Sequence, residues 1–440
     1  SGAPVPATRT GLYRSLADAI DTGETGARDA PVHEFDIECE GAHAHRRLDR
    51  GLAVAAARAT DDPGRFDGHL DPGIAAGLGA GEGPFSPTAL ERDATCGFRY
   101  YMQDVLDIEE RDEVAIELDP REQGGYVHSV LETFYRTWQG RGHEGITEGT
   151  LDDAASVLHE TATAELETLD TPGTAFHRRY VSSLFDGLTD DPAGPGDPDA
   201  PPGLFRRFLE TEAGLAATPA RPVALEGHVG LDPGESDTPV LSETPVGVPG
   251  TTVTLHGKVD RLDATPDGEL VAYDYKTGDT PSESKTLEGY AFQLPVYLLL
   301  AESALDGDPI GGSYYRVDPG ESVSVHSGTI GASDDAAYHG ARSEKLLRRH
   351  HGLEFDSRGE FRRVLHEEIP DRIDQISAAI EAGSFQPTVL SAGDAGCDHC
   401  PYRAACDVRH HRRHDIRAGL EEEDSRPAYV PVGETPEENR

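Results

Sequence analysis

HGKVDRLDATPDGELVAYDYKTG, residues 256–278, reads as two strands joined by a tight turn, with acids at their facing ends. Val253, Leu255 and Val259 alternate with polar residues over 251–263. Pro266-Asp267-Gly268 supplies turn chemistry, and residues 269–276 alternate again. Side chains two apart on a strand share a face, so Asp274 and Lys276 point one way and Tyr275 the other. If the register sets Asp260 opposite Asp274, two hard oxygen ligands converge, a set that suits Mg2+ or Mn2+ better than zinc. Lys276 then lies beside an attacking water, where it can orient or deprotonate the nucleophile and offset charge growing on a phosphoryl group. Taken alone, an Asp-x-Lys step is a neighbouring ion pair.

The order and spacing of three motifs change that reading. GKVDR at 257–261, DYKTG at 274–278 and QLPVY at 293–297 resemble the central motif set of the PD-(D/E)XK nuclease superfamily, and more narrowly its RecB and AddB-like branch. The resemblance runs from about residue 60 to about residue 410. It implies an α/β fold, a restriction-endonuclease-like mixed sheet flanked by helices, and metal-dependent hydrolysis of DNA phosphodiesters. In GGYVHSVLETFYRTW, 124–138, Val127, Val130, Leu131, Phe134 and Trp138 fall at helical spacing. The shape from Gly124 to Glu132 is similar to the branch motif whose histidine joins the metal site, which makes His128 a ligand and Glu132 a candidate one layer further out. By the same resemblance Asp260, Asp274 and the Tyr275 carbonyl complete the Mg2+ or Mn2+ site and Lys276 serves the nucleophilic water. Gln293 and Tyr297, four apart and so on one helix face, position the substrate strand. Helix-to-sheet packing by Tyr297 and backbone capping by Gln293 is the plainer alternative.

AGCDHCPYRAACD, 395–407, gives Cys397, Cys400 and Cys406, a spacing that in an intracellular chain argues for metal rather than disulfides. Cys96 lies far upstream in SPTALERDATCGFRYYMQDVL, 86–106, read as one capped amphipathic run with Cys96 on its apolar face. AddB-like chains close a [4Fe-4S] cluster with one cysteine before the core and three after it, and the resemblance implies the same staple here. Zinc remains open, because four-cysteine sites suit it equally and His399, His410, His411 and His414 are near in sequence. Cys39 reads as an ordinary thiol.

The chain carries 81 acidic against 39 basic residues, a formal net charge of -42, and its only lysines are Lys258, Lys276, Lys285 and Lys345. Such a surface repels itself in dilute buffer, whereas at about 1 M salt the Debye length is only about 3 Å and the repulsion is screened. The composition resembles that of proteins from extreme halophiles. A bulk negative charge does not exclude DNA, since affinity depends on local cations near phosphates. VRHHRRHDIR, 408–417, is the densest basic patch, and Arg409, Arg412 and Arg413 are its candidate phosphate contacts, with a surface salt-bridge stripe as the alternative. No apolar run approaches the roughly 20 residues of a membrane span, so a soluble, cytoplasmic protein is expected. The chain begins at Ser1 without an initiator Met and reads as a fragment or a trimmed chain.

In order, residues 1–84 read as a linker or partial lead-in lobe and 85–410 as the nuclease domain. A helical insert at about 140–220 helps roof the site, and 411–440 is a basic patch followed by an acidic disordered tail. RPVALEGHVGL, 221–231, reads as the first core strand. Its Glu226 is taken as a solvated strand glutamate, with the metal face as the alternative. Further strands are expected over 311–319 and 321–328, then helix to about residue 382. By analogy with AddB the substrate is a single strand delivered by a helicase, partner or fused, during double-strand break repair. The competing functions are a non-catalytic module that guides DNA in a helicase complex, and a zinc-stabilised nucleic-acid binder.

Overall fold

The computed structural model describes residues 68–108, 120–168, 202–215, 220–232, 239–281, 289–318, 323–332, 353–355, 357–388 and 395–406, with a few single positions between them. Arg409, Arg412, Arg413, Cys39, most of the lead-in lobe and the acidic tail lie outside the described residues. The described chain divides into two compact units. One holds residues 68–81, 95–108 and those from 379 to 406, and the other holds 82–94 and those from 120 to 378.

The second unit is built on the quoted hairpin. Nine strands are described: β1 Arg221–Val229, β2 Val240–Ser242, β3 Val246–Gly247, β4 Thr254–Leu255, β5 Gly257–Ala264, β6 Glu269–Lys276, β7 Asp308–Arg316, β8 Ser324–Ala332 and β9 Leu353–Phe355. β3 and β4 pair as a small ribbon, and the other seven form one mixed sheet in the order β2-β1-β5-β6-β7-β8-β9. β1, β5 and β6 run antiparallel to their neighbours in that trio, and β6 and β7 are parallel. The β5–β6 turn closes with Gly268 N–H donating to Thr265 O at 3.0 Å, and Gly268 takes φ +84, a left-handed conformation that suits glycine.

Five helices matter to the site: α1 Pro87–Thr95, α2 Pro120–Gly140, α3 Leu151–Thr168, α4 Leu204–Leu215 and α5 Gln293–Leu305. Parallel strands need a crossover, and α5 supplies it between β6 and β7. Leu294, Val296, Leu298, Leu299 and Leu300 of α5 are all buried, as an apolar helix inside a core must be. α2 buries the predicted Val127, Val130, Leu131, Phe134 and Trp138. These side chains form one core with α3, α4, Val271, Tyr273 and Tyr275. Strand alternation places Tyr273 and Tyr275 on the face opposite Asp274. The insert helices α3 and α4 therefore cover the tyrosine face and do not roof the acids. Their apolar stripes pack against Val271, Tyr273 and Tyr275, whereas α5, whose Tyr297 reaches Asp260, occupies the Asp274 face.

The segment around Cys96 also departs from the expected continuous helix. α1 stops at Thr95, Cys96 is extended, and a short helix Gly97–Tyr100 leads into a π turn at Tyr101–Val105. In an unbroken helix Phe98 N–H would bond to Ala94 O. Here it donates to Gln386 O at 3.1 Å, so a partner from the far end of the chain replaces the local one. The first unit is tied further by Leu70 N–H to Gly383 O at 2.8 Å, by Tyr100 and Tyr101 against the Phe385 ring, and by the Tyr402 hydroxyl on Ile108 O.

Candidate active site

The sheet register builds the site. Leu225 pairs with Arg261 and Gly227 with Val259, so Glu226 lies level with Asp260. Arg261 pairs with Tyr273, which carries the row on to Asp274. Directly opposed residues share a face, so three adjacent strands present three carboxylates in a line. All three are buried: Glu226 is 3 % exposed, Asp260 7 % and Asp274 1 %. The expectation of a solvated Glu226 is corrected by its burial: His128 and Lys258 close over its carboxylate from α2 and β5. Glu226 also sits at φ +49, an uncommon conformation for a side-chain-bearing residue, and such strain persists only where the surroundings hold it.

His128 reaches the row from α2. Its Nδ1 is 3.0 Å from Glu226 Oε1 and 3.7 Å from Asp260 Oδ2, and its Nε2 is 3.1 Å from the Tyr275 carbonyl. Both ring nitrogens face acceptors, an arrangement that favours the doubly protonated ring in the metal-free protein. Burial would lower the His128 pKa, but the Asp260 and Glu226 carboxylates outweigh it and raise the value to about 9. Asp260 is pushed up to about 7 by burial and by Asp274, against the pull of His128 and of the Tyr275 N–H, which donates to Oδ2 at 2.9 Å. Glu226 falls below the usual carboxylate range: burial opposes ionisation, and hydrogen bonds from His128 and Lys258 overcome it. Lys258 Nζ is 2.5 Å from Glu226 Oε2.

At the other end of the row, Lys276 Nζ is 2.6 Å from Asp274 Oδ2 and donates to Gln293 Oε1 at 2.6 Å. Burial works against the ammonium, but Asp274 holds the Lys276 pKa above its ordinary value. The Tyr297 hydroxyl lies 3.3 Å from Asp260 Oδ1, and the residue is 4 % exposed. Gln293 and Tyr297, assigned by resemblance to the substrate strand, thus both have partners inside the site. Glu132 is engaged by Arg136 one turn along α2.

On the reverse face, Arg261 is buried. It grips Asp263 with two hydrogen bonds of 2.6 and 2.8 Å, donates to Glu212 Oε1 and the Tyr135 hydroxyl at 3.0 Å each, and reaches the Tyr275 hydroxyl at 3.4 Å. The Tyr135 and Tyr273 rings flank its guanidinium, each centroid 5.0 Å away. Tyr275 therefore joins the two faces, its peptide in the acidic row and its hydroxyl in the arginine network.

The residues present fit a hard divalent cation. Ligand atoms of His128, Glu226 and Asp260 lie within 4.8 Å of one another, and buried carboxylates in a row call for positive charge among them. Glu226 takes the metal face, the alternative to a solvated strand glutamate, and the sequence signal for it is its place in the strand before GKVDR. Cys96, Cys397, Cys400 and Cys406 all lie in the first unit as thiols, with no disulfide between them. Burial raises the Cys96 thiol to about 11, with backbone N–H groups of Arg99 and Thr388 opposing and the Cys406 and Cys400 thiols adding to it.

The sequence profile of the PD-(D/E)XK nuclease superfamily matches residues 84–407. The chain is also similar to an ATP-dependent helicase/deoxyribonuclease subunit of Moorella thermoacetica, 26 % identical over 391 aligned residues that cover 77 % of this chain and 31 % of that protein. No described helix is long and apolar enough to cross a membrane. The profile match takes in the acidic row, the lysine beside it and every strand of the sheet, and on that ground the chain belongs to the PD-(D/E)XK nuclease superfamily.

Proposed function

We propose that this protein is a divalent-cation-dependent deoxyribonuclease. The observation that carries the reading is the line of Glu226, Asp260 and Asp274 across three strands, closed by His128 at one end and Lys276 at the other. Asp260, Asp274, His128 and the Tyr275 carbonyl hold Mg2+ or Mn2+ in this reading, and Glu226 joins them. When bound, the cation supplies charge that stabilises the phosphoryl transition state and lowers the pKa of water.

The chain's own groups do the rest. Lys276 stays an ammonium beside Asp274 and faces the charge that grows on the phosphate, a role that suits its raised pKa better than that of a base. Gln293 fixes the ammonium, and Tyr297 fixes Asp260. His128 orients Glu226 and the Tyr275 peptide, and gives up a ring proton when it becomes a ligand.

The similar helicase/deoxyribonuclease protein supports DNA as substrate and a helicase as partner or fused neighbour. Exonucleolytic cutting of single strands in break repair completes the proposal. Cys96, Cys397, Cys400 and Cys406 bind a [4Fe-4S] cluster in this reading, which rests on the C-x2-C-x5-C spacing and the upstream Cys96. Arg409, Arg412 and Arg413 add phosphate contacts. The charge of -42 supports a cytoplasm of high salt, where such a chain folds and meets DNA without self-repulsion. The test is digestion of end-labelled single- and double-stranded DNA in molar KCl, with Mg2+, Mn2+ or EDTA. Cleavage that requires the metal supports the reading, and its absence with every metal overturns it.

A further inference from the structure

The helix that carries Gln293 and Tyr297 lacks a cap of its own. The first amides of any helix have no partner within it. α5 begins after Phe292, whose side chain accepts nothing, has no acid in its first turn, and includes Pro295, which has no N–H. The missing acceptor comes from α1. Glu91 Oε1 accepts the N–H of Phe292 at 2.7 Å and that of Gln293 at 3.0 Å, across about two hundred residues of chain. A carboxylate at a helix N-terminus also matches the helix dipole. Gln293 is the residue whose side chain takes the Lys276 ammonium at 2.6 Å. Glu91 and Lys276 influence each other electrostatically, which puts the carboxylate and the ammonium in one neighbourhood.

We propose that Glu91 is a positioning residue of the nuclease site: it clamps the first turn of α5, so that Gln293 holds Lys276 against Asp274. The catalytic part of this inference rests on the nuclease reading. Partners one layer behind catalytic groups set their orientation, and small misplacements are expensive in rate. Tyr297, one turn further on, moves with the same helix, so the clamp also bears on Asp260.

The experiment is a double-mutant cycle on the whole chain in molar KCl, read by single-turnover cleavage of single-stranded DNA and by amide hydrogen exchange. Glu91→Ala is expected to lower kcat by about tenfold to a hundredfold with little change in KM. Glu91→Gln keeps an acceptor oxygen and recovers most of the rate. In a Gln293→Ala background the Glu91→Ala loss largely disappears, because both changes break one chain of contacts. Exchange at Phe292 and Gln293 quickens in Glu91→Ala while β5 and β6 stay protected. A loss that is fully additive with Gln293→Ala, or unchanged exchange at those two amides, overturns the proposal. A wild-type protein that cleaves no DNA sinks the nuclease reading instead, and the exchange measurement alone then decides whether Glu91 clamps the helix.

Discussion

Asp260 Oδ2 accepts the backbone N–H of Tyr275 at 2.9 Å, so the carboxylate of one strand is fixed by the peptide of the next. The same tyrosine offers its carbonyl to His128 and its hydroxyl to Arg261. One residue thus ties the acidic row to the charged core behind it. Changes on the two faces are expected to differ in kind, with function lost on one and stability on the other.

Asp260→Asn is expected to abolish cleavage while leaving the metal-free fold intact or slightly more stable. Burial and the neighbouring Asp274 already disfavour the Asp260 charge, so a neutral side chain of equal size relieves the row. In thermal melts, wild type gains stability on adding Mn2+ and Asp260→Asn gains less, since a ligand stabilises only the state it binds. Glu226→Gln should blunt the same Mn2+ response. An undiminished response in both variants would remove these residues from the metal site.

Arg261→Leu is expected to destabilise by about 3–5 kcal/mol, because it strands Asp263 and Glu212 as buried charges without their partner. Arg261→Lys should recover little, since an ammonium cannot reproduce the forked geometry or sit between two tyrosine rings. Urea unfolding at fixed high salt measures this. A cost below about 1 kcal/mol for Arg261→Leu would show that the network is not a support of the fold.

How much of this was legible in the sequence depends on how local each cause is. The hairpin, its turn and the shared face of Asp274 and Lys276 follow from a period of two, and α2 follows from a period near 3.6. Glu226 did not follow, since its burial arises from pairing with a strand more than thirty residues away and from His128, about a hundred residues upstream. β2 and β9, three residues each, are too short to show a period. The break at Cys96 and the cap from Glu91 are set by partners about three hundred and two hundred residues distant, for which no spacing rule exists.

Metal-free stability should fall as pH rises from about 5 to about 8, in part through Glu91. Burial raises the Glu91 carboxyl from the usual 4.5 to about 7, so the folded chain binds that proton more tightly than the unfolded one. The contribution is therefore complete below about 4.5 and is lost as pH passes through about 7. Melts in EDTA across this range should show a shallower decline for Glu91→Gln than for wild type. Identical pH slopes for the two proteins would contradict the assignment of the shift to Glu91.

Replacing Cys96, Cys397, Cys400 or Cys406 by Ser is expected to lose the brown colour and iron content of the purified protein and to lower its melting temperature. Ligation by Cys96 and Cys397 closes a loop of about 300 residues, and metal binding free energy is folding free energy. Cys39→Ser should change none of these. A colourless wild-type protein containing zinc would replace the cluster with a zinc site of the same ligands.

The most direct test of the central claim is the cleavage rate of Lys276→Ala beside wild type, with Mg2+ or Mn2+ in molar KCl, on end-labelled single-stranded DNA. Lys276 opposes the charge that develops on the phosphate, and removing one such group costs about a hundredfold to a thousandfold in rate. The expected result is a loss of at least that size with DNA binding nearly unchanged, measured at a temperature where both proteins are folded, since the change leaves the buried Asp274 without its ammonium and lowers the melting temperature. Equal rates in the two proteins would contradict the account.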